Sequence, residues 1–93
     1  MNVKIVKLIS GEDLIAELVE SDDIIVKNPV VMIPVNKEQI AFQPWLPYAE
    51  DKEYLLKETQ VVLIATPSET IRKEYERMFG SGIVTPAQNS IIM

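Results

Sequence analysis

The chain contains no cysteine and no histidine. Without cysteine, neither a disulfide nor a thiolate zinc site can form. Without histidine as well, the usual nitrogen and sulfur metal ligands, the commonest general base and the best nucleophile at neutral pH are all missing. We therefore read the chain as a non-enzyme with no cofactor and no metal site. Long hydrophobic runs are lacking too. The longest, Val61 to Ala65, falls far below the roughly 20 apolar residues a membrane-spanning helix needs, so no membrane partner is expected. The opening Met1-Asn2-Val3-Lys4-Ile5 alternates like a strand and lacks the apolar segment of a secretory signal, which makes the cytoplasm the expected location. Positive charge is scarce: nine lysines and arginines face fourteen aspartates and glutamates, for a net charge of -5. No internal repeat, low-complexity tract or domain boundary interrupts the sequence.

What is present is apolar and finely alternating. At 47% hydrophobic the chain is too apolar for disorder. Its 93 residues suit one domain spanning 1–93, but a chain of that size buries only about 60 to 65% of its unfolded surface, so stability is expected to be shared with partner subunits. The stretch Leu8 to Val26 reads strand, glycine turn, strand, acidic turn, strand, the usual start of a small β-barrel. Strands are expected at Val3 to Ile9, Asp13 to Glu20 and Ile24 to about Val35, with Gly11 supplying the positive φ of a tight hairpin. Pro29 and Pro34 lack amide donors, so the third strand should bend strongly or lie at an edge. Ile40 to Phe42, Glu53 to Leu56 and Gln60 to Ala65 complete the β-rich part. The last is apolar at consecutive positions and is expected to be buried on both faces, one of them against another subunit.

Thr66-Pro67-Ser68-Glu69 predicts a helix over about 67–79: Thr66 as cap, Pro67 at the first helical position, Glu69 at the reciprocal position of a capping box. Ile71, Tyr75, Met78 and Phe79 form one apolar stripe, and Gly80 stands as the stop. Arg72, Lys73 and Arg77 on the other face are nearly cancelled by Glu69, Glu74 and Glu76, which favours a solvated face over a phosphate-binding one. The tail, 80–93, has no period, although Ile83-Val84 and Ile91-Ile92-Met93 are apolar enough to pack onto a neighbour.

Few residues carry chemistry. Carboxylates cluster at Glu12-Asp13, Asp22-Asp23 and Glu50-Asp51 with Glu53, all near turns. A hard-cation site or carboxylate pair is the functional reading, but no calcium-loop spacing accompanies them and solvated turns is the reading we adopt. Trp45 and Tyr48 sit in the proline-bracketed Pro44-Trp45-Leu46-Pro47-Tyr48. Such a pair can stack bases, or it can pin the loop to the barrel or fill a subunit interface, and packing is the reading we favour.

Leu8, Ser10-Gly11, Ala16, Leu18 and Asp22 fall on the steps of the first Sm motif. Leu55-Leu56-Lys57-Glu58-Thr59-Gln60-Val61 with Ile64 follows the second. On these residues the chain resembles the Sm-like (LSm) superfamily. It is most similar to small members of cyanophage and marine metagenome origin, through Gly11-Glu12-Asp13-Leu14-Ile15, Pro44-Trp45-Leu46-Pro47 and Met78-Phe79-Gly80-Ser81-Gly82-Ile83. The resemblance covers about residues 3–65. It departs from the family in three places: Val26 stands where a base-reading asparagine is usual, Lys57-Glu58 replaces Arg-Gly, and the helix is expected after the barrel instead of before it.

The resemblance implies a mostly β fold, a strongly bent five-stranded small β-barrel over about 3–65 with a C-terminal α-helix. It further implies a homo-oligomeric closed ring of about five to seven subunits, whose symmetry covers the open strand edges. The function it implies is binding of single-stranded RNA or DNA in nucleic-acid processing. Asp22, Asp23 and Lys57 would lie near the pore, with Trp45 and Tyr48 as a stacking surface. The alternative is a protein-binding structural or regulatory ring with no nucleic-acid activity. Net charge favours that alternative, because phosphate binding draws on counterion release by lysine and arginine.

Overall fold

The hairpin at the start of the chain forms where the alternation placed it. A computed structural model describes residues 1–79 and the backbone of 91–92. In it β1 (Val3–Leu8) and β2 (Asp13–Val19) pair antiparallel with Val6 opposite Leu14. Gly11 takes φ 107°, a conformation L side chains rarely adopt, and its N–H donates to the Leu8 carbonyl at 2.9 Å to close the turn. All three of Leu14, Ile15 and Ala16 are buried. One face of β2 therefore lines the barrel interior, and the other must be covered from outside.

β3 (Ile24–Asn36) is the longest strand, and it bends at Asn28-Pro29. Asn28 has φ 49°, a left-handed conformation that asparagine tolerates better than most residues. Opposite it, the pairing with β2 shifts between Ile15 and Glu17, a bulge of the kind that increases local bend and twist. The bend divides β3 between two partners. Val30 to Asn36 pairs with β4 (Gln39–Pro44), and Ile24 to Lys27 pairs with β5 (Glu53–Leu56). The segments expected at Ile40 to Phe42 and Glu53 to Leu56 are thus both neighbours of one bent strand, separated by the loop 45–52. Proline supplies no amide to continue a ladder, and Pro44 and Pro47 sit at this break.

After a single 3-10 turn at Glu58–Gln60, β6 (Val61–Ala65) returns to pair with β1. β6 ends the sheet, whose order is β6-β1-β2-β3-β4-β7 with β5 beside β3. The backbone of β7 (Ile91–Ile92) pairs antiparallel with Ala41 and Phe42 of β4. In the single chain Val62, Leu63 and Ile64 are 55, 48 and 41% exposed, so the described residues of one subunit do not by themselves supply the burial expected on both faces. The reason is position: among the described residues β6 has one neighbour, β1, and none of them covers its other side.

α1 (Glu69–Phe79) follows the barrel. It starts later than expected, because Ser68 is the cap: its hydroxyl accepts from the Ile71 N–H at 3.3 Å. Thr66 is engaged elsewhere, accepting at 3.0 Å from the Lys4 ammonium on β1. The apolar stripe falls as expected. Ile71, Tyr75, Met78 and Phe79 pack with Val3, Ile15, Val30 and Phe42, covering the outer face of β2 and β3. The barrel interior is a separate cluster of Val6, Leu8, Leu14, Ala16, Val26 and Leu56. The polar face of α1 is internally paired, with Arg72 to Glu76 at 3.0 Å and Arg77 to Glu74. Gly80 and most of the tail lie outside the described residues.

Candidate nucleic-acid interface

Three of the five candidate residues come together at one end of the β3–β5 pair. Ile24 pairs with Leu56, so Asp23 and Lys57 are the residues immediately beyond that rung on adjacent strands. The β2–β3 turn is shaped by Ser21, whose hydroxyl accepts from the Asp23 N–H at 3.1 Å, a local side-chain turn that leaves Asp22 and Asp23 exposed. Lys57 is extended (φ -80°, ψ 139°) and its carbonyl accepts from the Gln60 N–H at 2.9 Å, closing the 3-10 turn. Its ammonium is exposed and, among the described residues, takes part in no ion pair. Lys57 is therefore available to an anion.

Its surroundings are acidic. Glu20, Asp22 and Asp23 lie on the neighbouring turn and Glu58 follows in sequence, all four exposed. Lys57 is the only cation within these two turns. Salt screens exposed charges beyond about 8 Å at physiological ionic strength, so these carboxylates oppose a phosphate only when it approaches closely. Glu20 and Glu58 received no role in the sequence, although their proximity to the motif positions was the available signal. Among the described residues no three acidic side chains converge as a cation site.

Val26, at the position where the family usually carries a base-reading asparagine, is fully buried in the barrel interior. No side chain at that position can reach a base without leaving the core. The exposed polar side chains gathered at this end of the β3–β5 pair are consequently those of the two turns.

Trp45 and Tyr48 belong elsewhere. They lie beyond the Glu53 end of β5, opposite to the Leu56 end that leads to Lys57. The Trp45 N–H donates to the Pro29 carbonyl at 3.3 Å. Its indole meets the Tyr54 ring edge to face, with centroids 5.8 Å apart and planes at 78°, and packs on the barrel interior cluster. Glu12 lies nearby, its carboxyl held below the usual value of 4.5 by the Ser10 hydroxyl first and its own backbone N–H second, with the Trp45 side chain adding a weaker hydrogen bond against a small effect of burial. Tyr48, by contrast, is 100% exposed. The sequence also gave no sign of the Tyr75 hydroxyl, which donates to the Lys27 and Asn28 carbonyls at 3.0 and 2.8 Å. It ties α1 to the bend from which β5 and loop 45–52 take their positions.

No curated protein matches the chain. The family model described as the Sm_like domain matches residues 5–76, from β1 into α1. With most of its length under that match, and with a strongly bent antiparallel sheet as its scaffold, the chain belongs to the Sm-like family.

Proposed function

We propose that this protein works as a closed homo-oligomeric ring of five to seven subunits that holds single-stranded RNA or DNA at the mouth formed by Asp22, Asp23 and Lys57. Sm-like proteins typically form rings and often bind RNA. The observation that carries the reading is a pair of free strand edges. β6 presents Val62, Leu63 and Ile64 to solvent, and β5 presents Leu55 at 66% exposure, each strand having one described neighbour. An exposed apolar edge favours pairing with another chain, and two such edges on one subunit, joined head to tail, generate a ring when the rotation closes. β6 of one copy pairing with β5 of the next would cover both.

In that ring every subunit contributes one Lys57, and a single strand passing the mouth meets one ammonium per subunit. Binding is modest because each lysine is ringed by carboxylates. Affinity falls with salt at a slope of about -0.7 per phosphate contacted. Titrating short single-stranded RNA and DNA against the intact ring at low salt tests this. Lys57→Ala is expected to weaken binding and flatten the slope. No saturable binding to either strand refutes the nucleic-acid part.

A second reading, a ring that binds proteins only, is favoured by the four carboxylates around Lys57 and by the net charge of -5. Absence of nucleic-acid binding by an intact ring would select it. Both readings are non-enzymatic and set in a cytoplasm, that of the host cell if the protein is a phage's.

A further inference from the structure

We infer that loop 45–52 is an intersubunit clasp, in which Tyr48 packs on the neighbouring copy where its β6 runs into α1 and Glu50 and Asp51 face that copy's Lys4. The inference rests on the ring reading and adds to it a surface outside the paired strand edges.

The loop is mounted rigidly. Both of its ends are hydrogen-bonded to the bend of β3: the Trp45 N–H donates to the Pro29 carbonyl at 3.3 Å, and the Asn28 N–H donates to the Lys52 carbonyl at 2.7 Å. Between them the Ala49 N–H donates to the Leu46 carbonyl at 3.1 Å, and the Tyr54 hydroxyl donates to the Asp51 carbonyl at 2.6 Å. Trp45 anchors the base against Tyr54, and Pro47 restricts the turn. What this braced loop offers outward is apolar: Tyr48 at 100% exposure and Leu46 at 42%. A fixed, projecting aromatic loses little conformational freedom when a partner covers it, which is the property of an interface anchor.

Strand polarity says which surface covers it. Every pair in this sheet is antiparallel. The same pairing across the subunit border sets the Glu53 end of β5 against the Ala65 end of the neighbour's β6. Residues preceding Glu53 then overhang past Ala65, onto Thr66, Pro67 and Ser68. Charge agrees with that placement. The loop and the residue after it carry Glu50, Asp51 and Glu53 against Lys52 alone. At the receiving junction Lys4 lies one residue before Ile5, the partner of Ala65, with its ammonium held on the Thr66 hydroxyl at 3.0 Å. An acidic loop thus meets a positioned cation, and the occupant of the Tyr48 surface is a second copy of this chain.

The test is ring dissociation on dilution of the full chain, followed by native mass spectrometry. Tyr48→Ser and Asp51→Lys are each expected to shift dissociation to protein concentrations at least about tenfold higher. Because both positions are exposed, the circular dichroism of each variant should match the parent. Lys4→Glu should weaken the ring likewise, and combining it with Asp51→Lys should restore assembly to within about threefold of the parent, as a direct charge pair requires. Loop variants that dissociate at the parent's concentration would overturn the clasp while leaving the ring intact, and so would a double variant no better than its singles. If Tyr48→Ser lowers single-strand affinity with dissociation unchanged, the loop serves nucleic acid and the clasp is wrong. A parent chain that stays monomeric at every concentration overturns the ring and the clasp together.

Discussion

Tyr75→Phe isolates one hydroxyl and asks how much of the fold hangs on the contact between α1 and the bend of β3. Tyr75 is fully buried, with its ring 4.8 Å from that of Phe79, and phenylalanine keeps this packing. What is lost is a donor shared by the Lys27 and Asn28 carbonyls at 3.0 and 2.8 Å. A buried hydrogen bond contributes about 1 kcal/mol net, and leaving its acceptors unmatched raises the loss to about 1–3 kcal/mol. For a domain of this size that lowers Tm by roughly 4–24 °C. Denaturant unfolding at a fixed protein concentration, so that assembly does not contribute, measures it. A second signature comes from pH. Burial first, and the nearby Glu17 charge as a smaller contribution, push the Tyr75 hydroxyl well above its usual 10.0, with a backbone hydrogen bond opposing them. The folded tyrosine therefore stays neutral while the unfolded one ionises. Its contribution is complete below pH 10 and declines as pH rises above that value, so parent and variant should converge in stability there. A variant within about 0.5 kcal/mol of the parent at neutral pH, with no convergence in alkali, would show that helix docking is apolar packing alone.

Leu63→Asp places a carboxylate on the exposed face of β6, where the single chain tolerates it and a ring interface does not; a lone buried charge costs several kcal/mol per interface. Light scattering should show dissociated chains with unchanged circular dichroism, and a ring of unaltered mass would refute the assignment of that edge. At Asn28, with φ 49°, alanine is expected to cost about 1–2 kcal/mol and glycine to be near neutral; equal melting temperatures for the two variants would remove the left-handed bend as a determinant. Because the Glu12 carboxyl is held below 4.5, chiefly by the Ser10 hydroxyl, it stabilises the fold above that pH and the contribution is lost as pH falls through its lowered value. Glu12→Gln should therefore flatten the acid limb of the stability profile slightly, and an unchanged limb would contradict the Ser10 contact.

Local patterns reached far into this fold. A glycine with φ 107° was readable at Gly11 because only the turn chemistry of neighbouring residues is involved. The helix stripe at Ile71, Tyr75, Met78 and Phe79 was readable because one face repeats at a fixed interval. The helix start was not. Thr66 and Ser68 are both competent caps, and the choice fell to Ser68 when Lys4, far away in sequence, engaged Thr66. The break between β4 and β5 was half legible: Pro44 and Pro47 announced a loop, but that both flanking strands pair with one bent strand is a property of β3.

For the site, sequence determined the ingredients: a single lysine among carboxylates, two aromatics in a braced loop, and an apolar segment at Val61 to Ala65. Tertiary structure alone decided their arrangement. Strand register, a non-local hydrogen-bonding choice, set Asp23 beside Lys57, sent Trp45 and Tyr48 to the other end of β5, and buried Val26 in the barrel. It also left β6 at the rim of the sheet, where apolar residues expected to be buried on both faces, one against another subunit, stand exposed, since a strand's burial depends on what lies beside it and the described residues of one chain provide one neighbour there.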